Sequence, residues 1–322
     1  MKKITLNLLI SFAILFKVNG QVDIIIKNTV IPTYSVKNPD PNPYFFKGER
    51  YQGASRIVYP YAMIDDFTDD LVDKEYEIII LQNEHIEICI VPELGGKMLY
   101  AKDKSNDYFF IYRNQVVKPA LIGMTGAWTS GGIEWNVPHH HRATTFSKVN
   151  YKLEKGEDGS KTVWLGETEL RDEVKWCVGL TIFPGKSFVE ITSKVFNRTP
   201  HKNTMLFWAN ASTHANEDYQ IIFPPLTQYA TYHKKNEFTE WPISNQIYTH
   251  GDFRNGVDLS KWKNHTISSS YFGWETEGNF IAGYDHGKNA GTVIFGNPHT
   301  NPGAKLWSWG NNEFGMFWND VL

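Results

Sequence analysis

Cysteine is scarce. Cys89 and Cys177 are the only two in 322 residues. A cysteine-based metal centre needs more thiolates than that, and no metal site is expected. The two thiols either pair in an oxidising compartment or stay as buried side chains. Charge of either sign is not in excess: 32 Lys and Arg face 35 Asp and Glu, and no basic stripe forms. Nucleic acid is therefore not an expected partner. The chain has no Gly-x-Ser-x-Gly elbow, no phosphate loop and no Gly-x-Gly-x-x-Gly run between a strand and a helix. That argues against serine-hydrolase, nucleotide and dinucleotide chemistry, and no cofactor is implied. Amphipathic helical patterning longer than about two turns is missing, as is any repeat of 20–50 residues.

Long hydrophobic runs are also missing. The longest, Leu6 to Phe16, is too short to span a bilayer comfortably. Lys2 and Lys3 precede it and the small-residue exit Val18-Asn19-Gly20 follows, which is the pattern of a secretory signal. Residues 1–20 are read as that signal. No Cys directly follows the run, so a lipoprotein anchor is not expected. The mature chain is expected to be secreted or periplasmic, with no stable membrane span after cleavage.

What the chain does have is aromatic side chains and short β patterns. Phe, Trp and Tyr make up 15% of it, with 11 Trp, which suits a β-rich scaffold and flat apolar ligands such as sugar rings. Residues 21–75 read as a lead-in that packs over the main domain. It opens with the strand-like Val22 to Ile26 and passes a Pro- and Asn-rich turn, Asn38 to Pro43, before Tyr44-Phe45-Phe46. From Tyr76 the pattern sharpens. Ile78 to Leu81, Ile86 to Val91, Met98 to Tyr100, Tyr151 to Leu153, Thr162 to Leu165, Trp176 to Phe183 and Phe188 to Phe196 read as strands. Phe280 to Tyr284 and Thr292 to Phe295 read as a hairpin. Strands at this spacing, with Gly, Pro and Asn between them, predict an all-β sandwich or barrel over residues 76–322.

Three stretches carry chemistry. The first is Thr125 to Phe146, which combines Trp128, Glu134, Trp135, His139, His140, His141 and Arg142 with Gly126, Gly131, Gly132 and Pro138. No core-building period explains that mixture, and it reads as a shaped loop presenting acid, base and aromatic groups to one volume. On a strand, His139 and His141 would share a face and His140 would take the other. A transition-metal site from His139, His141, His214 and Glu134 is disfavoured, because no tight ligand spacing supports it. The second stretch is Leu206 to Glu217, where the strand-like Leu206-Phe207-Trp208 leads into Asn210 and His214. A polar cluster at a strand end can present a general acid, or it can simply cap a turn. The third is Gly303 to Gly310, where Trp307 and Trp309 at i and i+2 would share a strand face, as a sugar platform or as core.

Ile90 to Lys104 (IVPELGGKMLYAKDK) resembles the early strand-turn-strand of galactose-mutarotase-like proteins. Together with GGIEWNVPHHHRATTF, FWANASTHANE and GAKLWSWG, it is similar to a secreted domain of that superfamily often found ahead of tetratricopeptide repeats in carbohydrate-degrading loci. The resemblance covers residues 30 to 322. It implies a β-supersandwich with a sugar cleft on its concave face, a His general acid at the lip of a central strand and a Glu base from a late strand. His214 lies in the segment resembling the acid-bearing strand. The late Glu has no counterpart before Asn319-Asp320-Val321-Leu322, so the closing C-terminal strands are expected to be missing and Glu134 is the best substitute base.

The functional expectation is acid–base chemistry at a sugar anomeric centre, glycoside-hydrolase-like or epimerase-like. Glu134, His214, His139 and His141 are the catalytic candidates. Trp128, Trp135, His140, Arg142, Trp208, Asn210, Trp307 and Trp309 are the candidates for holding an oligo- or polysaccharide. The rival is a non-catalytic carbohydrate-binding domain of a polysaccharide-uptake system, and an accessory sandwich of a polysaccharide lyase ranks below both.

Overall fold

The computed structural model describes residues 20–41, 44–45, 58–121, 126–274, 278–301 and 303–316. Residues 1–19, where a signal sequence is expected, together with Phe46, Thr125, Glu275 and Asn319 to Leu322, lie outside the described residues.

Period-two apolar runs become strands wherever one face can be buried. Leaving aside two-residue strands, the chain begins with β1 (Asp23–Val36), β2 (Phe67–Gln82), β3 (Ile86–Val91), β4 (Lys97–Asp103) and β5 (Ile133–Asn136). Next come β6 (Asn150–Lys155), β7 (Lys161–Glu169), β8 (Val174–Ile182) and β9 (Glu190–Asn197), which form an antiparallel four-stranded sheet in sequence order. Then β10 (Trp208–Ala211) returns to pair with β5, closing a six-stranded sheet of order β1-β2-β3-β4-β5-β10.

These two sheets pack face to face. Ile79 and Leu81 of β2, Ile86, Ile88 and Ile90 of β3, Met98 of β4 and Trp135 of β5 meet Val163 and Leu165 of β7 and Trp176, Val178 and Leu180 of β8. Each fully buried side chain of this kind contributes about 1.5–3 kcal/mol. The opposite face of the six-stranded sheet holds a smaller cluster that includes Tyr76, Ile78, Ile80, Val91 and Leu99. β1 pairs with β2 from Asp23↔Gln82 to Val36↔Phe67 and is the edge strand of the main sheet.

The chain beyond β10 builds a second body of sheets on its own core of Ile221, Phe223, Ala230, Trp241, Tyr248 and Tyr271. Its strands are β11 (Tyr219–Ile222), β12 (Tyr229–Thr231), β13 (Phe238–Glu240), β14 (Ser269–Trp274), β15 (Phe280–Asp285), β16 (Ala290–Phe295) and β17 (Lys305–Ser308). They form one sheet of order β11-β15-β16 and another of order β13-β12-β14-β17. The hairpin expected at Phe280–Phe295 is β15-β16, in register from Phe280↔Phe295 to Asp285↔Ala290. The described chain is thus nearly all β and antiparallel. Among the described residues no helix is long and apolar enough to cross a membrane. Cys89 and Cys177, on β3 and β8, are unpaired.

Candidate functional site

The site begins with the pleat of β5. Ile133 and Trp135 point into the sandwich core, so Glu134 and Asn136 point to the opposite face. Across the β5-β10 pair Asn210 stands opposite Glu134 and Trp208 opposite Asn136, which puts all four on that face. The chain reaches β5 through Gly132, whose φ is +67° and where a Cβ would sit 2.2 Å from the Met98 carbonyl oxygen. Only glycine fits there without moving the backbone.

Glu134 is 3% exposed and fully engaged. Its Oε1 accepts from Thr145 Oγ1 at 2.7 Å, and its Oε2 accepts from Asn136 Nδ2 at 3.0 Å and faces His141 Nδ1 at 2.9 Å. Burial is the largest influence on this carboxyl and pushes its pKa up. The hydrogen bond and charge of His141, with Lys97 and Asn136, more than reverse it and hold the group well below the usual carboxylate range. Lys97 on β4 is 2% exposed and donates to the carbonyls of Thr129, Ser130 and Gly131 at 2.6, 3.2 and 2.9 Å. All three ammonium donors are used to pin the approach to β5. Burial pushes Lys97 down to about 8, against the opposing pull of Glu134.

His141 is the group this arrangement presents. Its side chain is 22% exposed, and its ring lies edge-on to Trp128 (5.6 Å between centroids) and to Trp208 (5.1 Å). With Nδ1 on Glu134, Nε2 has no hydrogen-bond partner among the described residues. The His run is not a strand: residues 138–141 form bends, and His140 has a φ of +46°. The strand alternation that would pair His139 with His141 therefore does not apply. Burial first, then the charges of His141, His139, His233 and Arg171, pushes His140 down to about 4, so these groups crowd one region.

A second wall comes from the β12-β14-β17 sheet. Tyr271 and Leu306 turn to its core, so Ser270, Phe272, Lys305 and Trp307 share the other face. Lys305 Nζ lies 5.3 Å from the Phe272 ring and 5.7 Å from the Trp208 ring, which joins this face to the β5-β10 face. His233 bonds Ser270 Oγ through Nδ1 at 3.1 Å and stands edge-on to Phe272.

Other sequence candidates sit elsewhere. Trp135 is fully buried in the sandwich, with its Nε1 bonded to the Gly96 carbonyl at 2.9 Å. Arg142 is 1% exposed. It donates to the carbonyls of Trp135 and Gly95, to Thr144 Oγ1 and to Glu167 Oε1, and lies 4.4 Å from the Trp176 ring centre. It faces the core and organises the Gly95-Gly96 turn, which leaves no surface for a ligand. His214 belongs to the 108–112 segment: it stacks on Tyr108 at 4.7 Å, meets Tyr112 edge-on and bonds the Phe109 carbonyl at 2.9 Å. None of those partners is shared with Glu134 or His141. Trp307 is exposed on the β17 face, and Trp309, past the strand end, packs on both Trp307 (6.1 Å between ring centres) and Trp262 (6.2 Å). A cavity of about 190 Å³ lies behind the loop, lined by Tyr61, Ile64, Ala127, Ala143 and Phe146 among others, and none of the candidate residues lines it. Among the described residues no group of three or more His, Cys, Asp or Glu is placed to hold a metal ion.

Sequence reasoning missed Lys97, Lys305 and His233. Lys97 follows directly on the Gly95-Gly96 turn, and a lysine opening a buried strand was a readable signal. Nothing local marks Lys305 or His233, because their place in the site depends on a contact between two sheets.

Fold and site together define an all-β protein of antiparallel sheets with a buried carboxylate holding a partly exposed imidazole. Residues 54–322 match a family described as a domain of unknown function, DUF5107, and the chain belongs to that family. A crystal structure of a TPR-domain containing protein from Parabacteroides distasonis is similar in fold. Its TM-score is 0.78 at 21% sequence identity, over 93% of this chain and 48% of that one. This chain thus spans about half the length of that protein.

Proposed function

We propose that the chain is a secreted carbohydrate-active domain whose working group is His141, held by Glu134 and flanked by Trp128 and Trp208. The observation that carries this reading is the partly exposed imidazole between two indoles, with its inner nitrogen on a buried carboxylate. An ionised Glu134 accepts the Nδ1 proton and so leaves the Nε2 lone pair for an incoming hydroxyl. When Nε2 takes a proton, the imidazolium gains the buried charge as a partner, which lowers the cost of that transfer. Glu134 is the positioning group and does not itself meet the sugar. Trp208, which is partly exposed, supplies a flat apolar face for a pyranose ring, and Trp128, 8% exposed, backs the imidazole from inside. The resemblance of Ile90 to Lys104 to galactose-mutarotase-like proteins is consistent with proton transfer at an anomeric hydroxyl.

The second reading is a carbohydrate-binding domain without turnover. It is favoured by the burial of Glu134, the carboxylate of this constellation, because glycosidases that use two carboxylates need both beside the scissile bond. The test compares wild type, Glu134→Gln and His141→Ala for anomer interconversion and release of reducing ends over a glycan panel. Turnover that falls sharply in both variants supports the acid–base reading. Binding without turnover in wild type selects the second reading. Equal turnover in all three proteins removes His141 from the chemistry.

A further inference from the structure

The face that joins His141, Trp208 and Lys305 has a charge bias that the Glu134–His141 pair does not use. The carboxylate of Glu134 is committed to His141, Asn136 and Thr145. Among the described residues, the other ionisable groups that bear on this face are His139, His140, His141, His233 and Lys305, all basic. Arg171, whose charge also bears on His140, is answered by Glu169 and Asp172.

Lys305 is different. It stands half-buried between the Trp208 and Phe272 rings, and no carboxylate among the described residues pairs with it. Burial pushes its pKa down to about 8, so at neutral pH it remains largely an ammonium. A cation removed from water and left without a counter-ion is costly, and an anionic ligand group would relieve that cost. The position is informative as well. The His141 ring lies 5.1 Å and the Lys305 ammonium 5.7 Å from the Trp208 ring centre, which puts both groups within the span of one saccharide. Trp307, exposed on the same face as Lys305, extends the apolar floor beyond it.

Building on the carbohydrate reading above, we infer that the face around Trp208 takes an anionic saccharide, with Lys305 receiving a carboxylate or sulfate group of the sugar whose hydroxyl meets His141. Both groups present oxygens at negative charge to an ammonium, and the two are separated by experiment.

Affinity is measured by calorimetry on the full chain, with three probes of one backbone length: an oligouronate, its carboxyl-reduced neutral counterpart and a sulfated neutral oligosaccharide. The variants are Lys305→Met and Lys305→Arg, with circular dichroism and urea unfolding confirming that each is folded. The expected result is that one anionic probe binds about tenfold or more tighter than the neutral one, the size of a single charge-assisted contact. Lys305→Met brings that ratio to within about twofold, Lys305→Arg largely keeps it, and added salt reduces it in wild type. Which anionic probe shows the preference identifies the group. Equal binding of neutral and anionic probes, or a preference that survives Lys305→Met, overturns the inference and leaves the carbohydrate reading standing. If no probe binds, both fall together.

Discussion

Replacing Arg142 by Ala removes a guanidinium that is 1% exposed and donates four hydrogen bonds. Two of its acceptors, the carbonyls of Trp135 and Gly95, would lose this donor. Glu167 would lose its ion-pair partner at 2.8 Å. Removing one member of a buried pair costs about 3–5 kcal/mol, mostly because the other charge is left uncompensated. The vacated space over Trp176 adds to that cost. A domain of ordinary stability has only about 5–15 kcal/mol in hand, so the variant should be folded but fragile. Arg142→Lys keeps the charge and loses the fork, so it should fall between the two. Urea unfolding followed by tryptophan emission gives the loss directly, and glycan affinity is measured on the folded fraction. If Arg142→Ala unfolds within about 1 kcal/mol of wild type yet loses its affinity, Arg142 is a ligand group and the structural argument fails.

Lys97 gives a pH signature. Its folded value near 8 lies below an unfolded value of about 10.4, so between the two the unfolded chain holds a proton that the folded chain has released. Stability from this group therefore rises with pH across that window, and Lys97→Met lacks the rise. Unfolding at pH 7.5 and 9.5 should show wild type gaining on the variant by about 1–2 kcal/mol; a constant difference would contradict the burial of the ammonium. His214→Ala should lose about 1–3 kcal/mol of stability through Tyr108 and the Phe109 carbonyl, and leave glycan affinity unchanged. A selective loss of affinity would return His214 to the site.

Strand identity was legible where burial on one face enforces alternation. Ile86–Val91 was visible because its apolar residues reach a core, and the Phe280–Phe295 hairpin because two β-patterned runs flank a turn, although Val293, Ile294 and Phe295 are exposed. Glycines at 131 and 132 marked the bend before β5, and both take positive φ. Face assignment was harder. Trp135 and Arg142 look like ligand groups by composition, but the parity of β5 turns Trp135 inward, and Arg142 finds four acceptors there. Local pattern also failed at His214, because the partner segment at 108–112 lies about a hundred residues away in the chain. The same distance hid Lys305, which acquires its role only when β17 stands against β10. Glu134 and His141 were both named from one stretch, and their contact across seven positions follows from a loop that no periodicity describes.

The central claim is that a saccharide sits against Trp208 and His141, with Trp128 directly behind the imidazole. The most direct measurement is a titration of the full chain with the best-binding oligosaccharide, following the indole Nε1–H signals by nuclear magnetic resonance. The signals of Trp128 and Trp208 should move in step with binding, while that of Trp135, bonded to the Gly96 carbonyl, stays fixed. Movement of Trp262 and Trp309 with Trp128 and Trp208 unchanged would place the sugar elsewhere and contradict the account.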